Sequence, residues 1–132
     1  MCPGRVFWVG PAPSIRISRV YDHDQTGSGH RVLVDRLWPR GVRKADLELD
    51  EWCKLLAPST ELRRWYGHVP ERFADFALRY RAELSGSSVA DEVSRLRTIA
   101  ADEGLVLLTA TRDVEHSGAE VLRRYLIEQG HR

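Results

Sequence analysis

The sequence predicts one small α/β domain, built from a short, mixed but mostly parallel sheet with helices packed on it. Residues 31–37 and 105–109 are apolar runs rich in Val and Leu, typical of strands that are buried on both faces. Segments with helical periodicity separate the two runs, and so long a helical crossover favours a parallel pair. The chain of 132 residues matches the usual size of one domain and contains no internal repeat.

The remaining strands are less sharply defined. Residues 15–21 alternate at first and predict a half-exposed strand, which could lie antiparallel beside the buried pair. Residues 22–30 carry Asp, Thr, Ser and Gly and predict a loop. Residues 47–57 fit two interpretations, because their apolar positions suit one face of a helix and the segment is also short enough to be a strand.

The first buried strand, 31–37, is predicted to use both of its faces. Val32 and Val34 would face one side of the sheet, and Leu33 and Leu37 would face the other. The strand therefore belongs in the interior of the sheet rather than on a solvated surface.

A turn is predicted to follow this strand. Pro39 holds Trp38 in an extended conformation and suits the second position of a turn that closes at Gly41. We therefore expect Trp38 to be packed rather than solvated.

Cap and stop residues predict four helices. Their signals, in chain order, are Ser59 as N-cap with an end at Gly67, Pro70 in the first turn with an end at Gly86, a capping box of Ser88 and Asp91 with an end at Gly104, and Asp113 as cap with an end at Gly130.

Residues 1–14 are punctuated by Gly and Pro and are interpreted as a tail or an added edge strand before a domain of residues 15–132. Their apolar run is too short for the core of a signal peptide, and no stretch approaches the length of a membrane span. Cys2 and Cys53 show no spacing of a disulfide framework, and we predict that they form no disulfide. We therefore expect a cytoplasmic protein with no membrane partner.

The charge balance argues against a nucleic-acid-binding surface. The net charge is +1 and the isoelectric point is about 7.9, whereas nucleic-acid-binding domains usually exceed about 9. Of the 20 basic residues 18 are Arg, which a general compositional bias explains, although Arg also suits two-point contacts with phosphates and carboxylates. Nucleic acid is therefore a possible partner that we do not favour.

Polar residues gather where the two buried strands end. Asp35 and Arg36 close the first strand, and residues 109–113 close the second immediately before a helix. In parallel α/β sheets, ligands bind at the carboxyl ends of the strands, so we expect a site at this edge.

The functional interpretation gives each of these residues a role. Arg36 and Arg40 would bind an anion, Asp35 and His116 would transfer protons as catalytic groups, and Trp38 would form a wall. Three more ligand-binding candidates are Arg63, Arg112 and Ser117.

Structural interpretations stand beside these roles. Asp35 and Arg36 could form a structural ion pair, and His116 could cap an exposed turn. The five histidines show no paired metal-ligand spacing, so we predict neither a metal site nor a cofactor.

The string Arg-Val-Leu-Val-Asp-Arg-Leu-Trp-Pro-Arg-Gly at 31–41, with 57–63, 76–84 and 107–113, resembles the YeaO-like family of uncharacterised proteins, domain of unknown function 488. The resemblance covers about residues 15–128. It implies no activity, because the family is named for lacking one. The residues to which it draws attention are Asp35, Arg36, Trp38, Pro39, Arg40, Gly41, Trp52, Ser59, Arg63 and Tyr80.

One departure from the family pattern concerns Ser117 and Gly118. Similar proteins carry Asn, then His or Gln, at these two positions. If that polar pair takes part in chemistry, the resemblance implies that this member is altered or inactive.

Three functions remain open. The first is a pocket protein for a small anionic or phosphorylated ligand, either an enzyme or a binder. The second is a nucleic-acid-associated or regulatory module that uses the basic loop 36–44 with Arg63 and Arg64, and the third is a protein-interaction module without chemistry. A concave cluster of Arg36, Arg40 and His116 would favour the first, and a flat basic face would favour the second.

Overall fold

A computed structural model describes residues 14–21 and 29–129, without the side chains of Asp46 and Gln129. The predicted tail thus lies outside the described residues, apart from Ser14, as do Cys2 and the predicted helix end at Gly130. The helices and strands are, in chain order, β1 (Ile15–Arg19), β2 (His30–Leu33), β3 (Glu51–Trp52), α1 (Thr60–Tyr66), α2 (Phe73–Leu84), α3 (Ala90–Asp102), β4 (Leu105–Thr109) and α4 (Gly118–Gln129).

The predicted α/β class is confirmed by a four-stranded sheet in the order β1-β4-β2-β3. Every strand pair among the described residues is parallel. An antiparallel direction for the first strand was therefore wrong: β1 runs parallel to β4, with Ile15 opposite Leu105 and Arg19 opposite Thr109. The alternation of apolar and polar residues could not reveal the direction of β1, because the same pattern suits a parallel and an antiparallel strand.

The sheet is covered differently on its two faces. Val32 and Val34 lie in the larger core beneath the helices, whereas Leu33 lies in a smaller core on the opposite face. The predicted use of both faces is thus correct for these three residues. It was wrong for Leu37, which is 59% exposed, because the strand ends at Leu33 and the chain then leaves the sheet.

The ambiguous segment 47–57 contains the short edge strand β3, not an α-helix. Its backbone pairs with β2 through Asp50 N to Arg31 O at 2.8 Å and Cys53 N to Leu33 O at 2.9 Å. A 3₁₀ turn at Lys54–Leu56 follows. The apolar residues of this segment, although spaced as on a helix face, therefore lie in and around a two-residue strand and the turn that follows it.

Helix starts were predicted unevenly. Ser59 caps α1 as expected, because its hydroxyl accepts from Leu62 N at 3.1 Å. The capping box at Ser88 was wrong: α3 begins at Ala90, and its N-cap residue, Val89, makes no side-chain cap. Asp113 precedes a 3₁₀ turn at Val114–His116, and α4 begins only at Gly118.

The turn after β2 is displaced by one residue from the prediction. Val42 N donates to Pro39 O at 3.4 Å, so Pro39 takes the first position of the turn rather than the second. Gly41 has φ +78°, a conformation that glycine adopts without strain. Trp38 packs against the smaller core and remains partly exposed.

Within the described ranges, no helix has the length and apolar character needed to cross a lipid bilayer.

Candidate functional site

A cavity of about 490 Å³ lies at the carboxyl edge of the sheet. The parallel pairing of β2 with β4, in which Leu33 lies opposite Leu108, places the ends of both strands at this edge. The cavity brings together seven of the eight site residues predicted from the sequence, namely Asp35, Arg36, Trp38, Arg40, Arg63, Arg112 and Ser117.

Asp35 joins the ends of β2 and β4. Its Oδ1 accepts from the Thr109 hydroxyl at 2.8 Å, and its Oδ2 accepts from Ala110 N at 2.7 Å. Burial raises the pKa of the Asp35 carboxyl, while the bonds from Ala110 and Thr109 and the positive charge of Arg63 act in the opposite direction. Asp35 is thus tied to the backbone and hydroxyl of β4, not to Arg36 in an ion pair.

Arg36 is anchored at one nitrogen. Its Nε donates to Pro58 O at 2.9 Å, and Pro58 itself is buried. Helix α4 packs against this proline, because a Cβ added to Gly118 would lie 3.2 Å from Pro58 Cγ. The Tyr80 hydroxyl donates to Leu56 O and fixes the preceding turn. The guanidinium of Arg36 is therefore held by a segment that two helices support.

Four arginines border the cavity without an acidic partner. In the described part of the chain, no carboxylate lies within ion-pair distance of Arg36, Arg40, Arg63 or Arg112. Four arginines elsewhere do pair with acids, in the contacts Arg81–Glu128 at 2.6 Å, Arg95–Glu51 at 2.6 Å, Arg123–Glu120 at 2.9 Å and Arg124–Glu120 at 2.6 Å. Six others in the described part of the chain form no ion pair either, namely Arg19, Arg31, Arg64, Arg72, Arg79 and Arg97. What distinguishes the cavity is that four arginines without an ion pair border one space, where the carboxylates of Asp35 and Asp113 balance their charge only in part.

His116 is not part of the cavity lining. Its Nδ1 lies 2.8 Å from Asp113 Oδ2, and its ring meets Phe73 edge-on at 5.1 Å between centroids. Its backbone carbonyl accepts from the Tyr66 hydroxyl at 2.6 Å. The two catalytic candidates, Asp35 and His116, are therefore not brought together in one cavity.

Ser117 immediately precedes the last helix and caps it. Its hydroxyl donates to Val114 O at 2.7 Å and accepts from Glu120 N at 3.2 Å, which makes it the N-cap of α4. Gly118 and Ala119, the first residues of this helix, also line the cavity. The positive end of the α4 dipole thus adds to the arginine charge.

Trp38 forms part of the wall and is fixed in place. Its Nε1 donates to Val42 O at 2.6 Å, and its ring meets Trp52 edge-on at 5.2 Å between centroids. Trp52 in turn donates from Nε1 to Asp35 O at 2.7 Å. The two indoles therefore brace the loop that carries Arg36 and Arg40.

Several lining residues were missed or given other roles by the sequence. Tyr66 and Phe76, whose ring centroids stack at 4.3 Å, lie in the helices α1 and α2 and were not among the site candidates, and neither was His68. Tyr21 and Pro58 were not singled out as site residues, because each reaches the cavity through the fold and Pro58, although part of the matching string 57–63, has no ionisable or hydrogen-bonding side chain.

A cluster outside the cavity has ligand atoms of Glu51, Cys53 and Glu92 within 4.8 Å of one another. Arg95 occupies both of its carboxylates, which lie 2.6 Å and 2.8 Å away. Burial raises the pKa of the Cys53 thiol to about 11, so the thiolate needed for metal binding or nucleophilic attack is disfavoured. The cluster is best described as an ion-pair link between β3 and α3.

Comparison with known proteins identifies relatives without a described activity. Residues 14–132 match the family model DUF488-N3i, described as the inactive DUF488-N3 subclade. An uncharacterised protein of Mycobacterium tuberculosis (strain H37Rv) is 47% identical over 112 residues, which cover 85% of this chain and 92% of that protein. The uncharacterised protein YeaO of Escherichia coli K12 is 44% identical over 114 residues, or 86% and 96%. No solved structure matches the chain significantly.

Proposed function

This chain belongs to the YeaO-like DUF488 family, whose function is unknown, and from that premise we propose that it is a non-catalytic binder of a small anionic ligand. The observation that carries the proposal is the set of four arginines around one cavity, none of which forms an ion pair within 4 Å among the described residues. Guanidinium groups form strong two-point hydrogen bonds with phosphates and carboxylates, so a bound anion would supply the missing charge.

The shape of the site supports a small ligand rather than an extended one. Arg36 and Arg40 border a cavity at the end of the sheet, not a flat basic face. The volume of about 490 Å³ falls within the range of small-molecule pockets. The first turn of α4 at Gly118 adds a partial positive charge at the same place.

The same geometry supports binding over catalysis. Both carboxylate oxygens of Asp35 accept hydrogen bonds that link β2 to β4. The Ser117 hydroxyl is committed to capping α4, and His116 lies outside the lining. Asp35 and His116, the two catalytic candidates of the sequence, therefore do not face a common reacting atom, which agrees with the description of the matching subclade as inactive.

Thermal unfolding in phosphate tests the proposal. A ligand that binds only the native state stabilises it by RT ln(1 + [L]/Kd), about 2.7 kcal/mol at 100 times Kd. Phosphate should therefore raise the melting temperature of the wild type more than chloride of equal ionic strength does. The increment should shrink in Arg40→Ala and Arg63→Ala.

The matched control is Arg81→Ala, which removes an arginine paired with Glu128 instead of one at the cavity. This variant should keep the full phosphate increment. If Arg40→Ala, Arg63→Ala and Arg81→Ala all gain as much from phosphate as the wild type does, the cavity is not an anion site.

A further inference from the structure

We infer that His68 is an anion-binding residue of the cavity and that protonation of its imidazole strengthens binding, an inference that rests on the proposed function. His68 lines the same cavity as the four arginines. Three features of this residue support the role: its backbone conformation, its ring nitrogens without hydrogen bonds, and the carboxyl group on which its charge acts.

The backbone of His68 has a conformation that glycine adopts more readily than any other residue. In the described part of the chain, His68 is the one non-glycine residue with positive φ, at +59°. Gly67 before it has φ +53°, and Val69 N donates to Tyr66 O at 3.0 Å across the two residues. A turn with both central residues at positive φ prefers Gly, Asn or Asp. Strained residues of this kind cluster at binding sites, where function retains them at a cost in stability.

The ring nitrogens of His68 have no hydrogen-bond partner among the described residues. In contrast, the rings of His30 and His116 lie 2.6 Å and 2.8 Å from carboxylate oxygens. The His68 ring lies 6.2 Å from the Tyr66 ring, measured between centroids, and the residue is exposed. Both nitrogens of a protonated imidazole are donors, so His68 can donate to the oxygens of a bound anion.

The charge of a protonated His68 acts on the interior of the cavity. Burial is the largest influence on the pKa of the Asp35 carboxyl and raises it, whereas the charges of Arg63 and His68 are among the influences that lower it. Neither residue forms an ion pair with Asp35 within 4 Å. The charge of His68 is therefore close to the cavity without being committed to a carboxylate, and it would attract a bound anion together with the arginines.

His68 would make the affinity depend on pH, because imidazole titrates near neutral pH whereas guanidinium stays charged. An anion binds the protonated form more tightly, so the affinity should rise as the pH falls. Apart from the four arginines, the other titratable side chains of the lining are Tyr21, Asp35, Tyr66 and Asp113. Phenols stay neutral below about pH 9, so the two carboxyl groups are the ones that need controls.

Isothermal titration with sulfate at two pH values tests the inference. Sulfate, unlike phosphate, stays fully ionised across the titration range of histidine. We expect the wild type to bind sulfate about tenfold more tightly at about pH 5.5 than at about pH 8, the gain that one charge-assisted hydrogen bond supplies. In His68→Asn this ratio should fall below about twofold, because asparagine tolerates positive φ but carries no charge.

Asp35→Asn and His116→Gln are controls for the two carboxyl groups, since His116 Nδ1 lies 2.8 Å from Asp113 Oδ2. Each control retains His68 and should keep the ratio of about tenfold. Near neutral pH, titrations in buffers of different ionisation enthalpy should show proton uptake on sulfate binding by the wild type and both controls, but not by His68→Asn. Loss of the ratio in Asp35→Asn, with its retention in His68→Asn, would assign the titration to Asp35 and overturn the inference.

His68→Gly separates a role in binding from a role in folding. Glycine adopts positive φ without strain, so this variant should melt at or above the wild-type temperature and still lose the pH effect on sulfate binding. A lower melting temperature together with an unchanged pH effect would show that His68 serves the fold, and the inference would be wrong.

The outcomes distinguish this inference from the function on which it rests. If sulfate binding depends on Arg40 and Arg63 but its pH ratio persists in His68→Asn, the protein is an anion binder and the inference about His68 fails. If the wild type binds sulfate at neither pH, the inference also fails, and the phosphate experiment decides the proposed function separately. If neither phosphate nor sulfate binds in an arginine-dependent manner, the proposed function itself fails.

Discussion

Asp35 shows how a residue that looks catalytic in the sequence can act as a structural link. A charged residue after a buried strand must be paired or hydrogen-bonded, and the sequence left open whether the partner was Arg36 or a substrate. The structure gives a third answer, because Asp35 accepts from the Thr109 hydroxyl and from Ala110 N. The partners are 74 and 75 residues away along the chain, and no local pattern marks them.

Two substitutions at Asp35 test this structural role. Asp35→Ala leaves Ala110 N and the buried Thr109 hydroxyl without their partner, and an unsatisfied buried group costs about 1–3 kcal/mol. Asp35→Asn keeps an acceptor for Ala110 and should change the free energy of unfolding by less than about 1 kcal/mol at pH 7. Urea unfolding of both variants measures the difference. Equal losses of unfolding free energy in the two variants would show that the charge of Asp35, not its hydrogen bonds, contributes the stability.

The pH dependence of stability should also distinguish Asp35→Asn from the wild type. Burial raises the pKa of Asp35 in the folded state above its unfolded value, so the folded state holds this proton more tightly. The resulting stability is fully present below the unfolded pKa and is lost as the pH rises through the folded pKa. Unfolding free energies of wild type should therefore fall relative to Asp35→Asn as the pH rises from about 4. If the unfolding free energy of the wild type instead rose relative to that of Asp35→Asn over this pH range, the raised pKa of Asp35 in the folded state would be contradicted.

At the scale of elements, helix starts were predicted only where the capping side chain was free to cap. Ser59 satisfied this condition, whereas α3 began at Ala90, too late for Ser88 and Asp91 to form a capping box. Asp113 instead lies 2.8 Å from His116 Nδ1. Propensity could not distinguish these cases, because a 3₁₀ turn and the first turn of an α-helix use similar residues.

The start of α4 at Gly118 gives an element-scale prediction. Ser117→Ala removes the hydroxyl that caps the helix and should cost about 1 kcal/mol of stability. Asp113→Ala, in the position that the sequence suggested as the cap, should cost less, because Asp113 makes no cap. Chemical denaturation of the two variants measures both effects, and a larger loss from Asp113→Ala would place the cap where the sequence first suggested it.

At the scale of the whole molecule, the position of the cavity could be predicted from the sequence, but its full lining could not. The parallel pair of β2 and β4 was inferred from two apolar runs and a helical crossover, and this alone predicted an edge where Asp35, Arg36 and Arg112 meet. What escaped prediction depends on long-range contacts. Tyr21 enters the cavity because β1 lies beside β4, and His116 stays out because its ring packs on Phe73.

For the whole molecule, we propose that an anion binds among the arginines at the carboxyl edge of the sheet. The most direct test is a phosphate titration of isotope-labelled protein followed by nuclear magnetic resonance of backbone amides and arginine Nε groups. We predict saturable shifts concentrated at the Nε of Arg36 and the amides of Ala110, Gly118 and Ala119, and weaker binding in Arg40→Ala. Shifts that grow linearly without saturation, or that are as large at Arg81 as at the cavity, would contradict the claim.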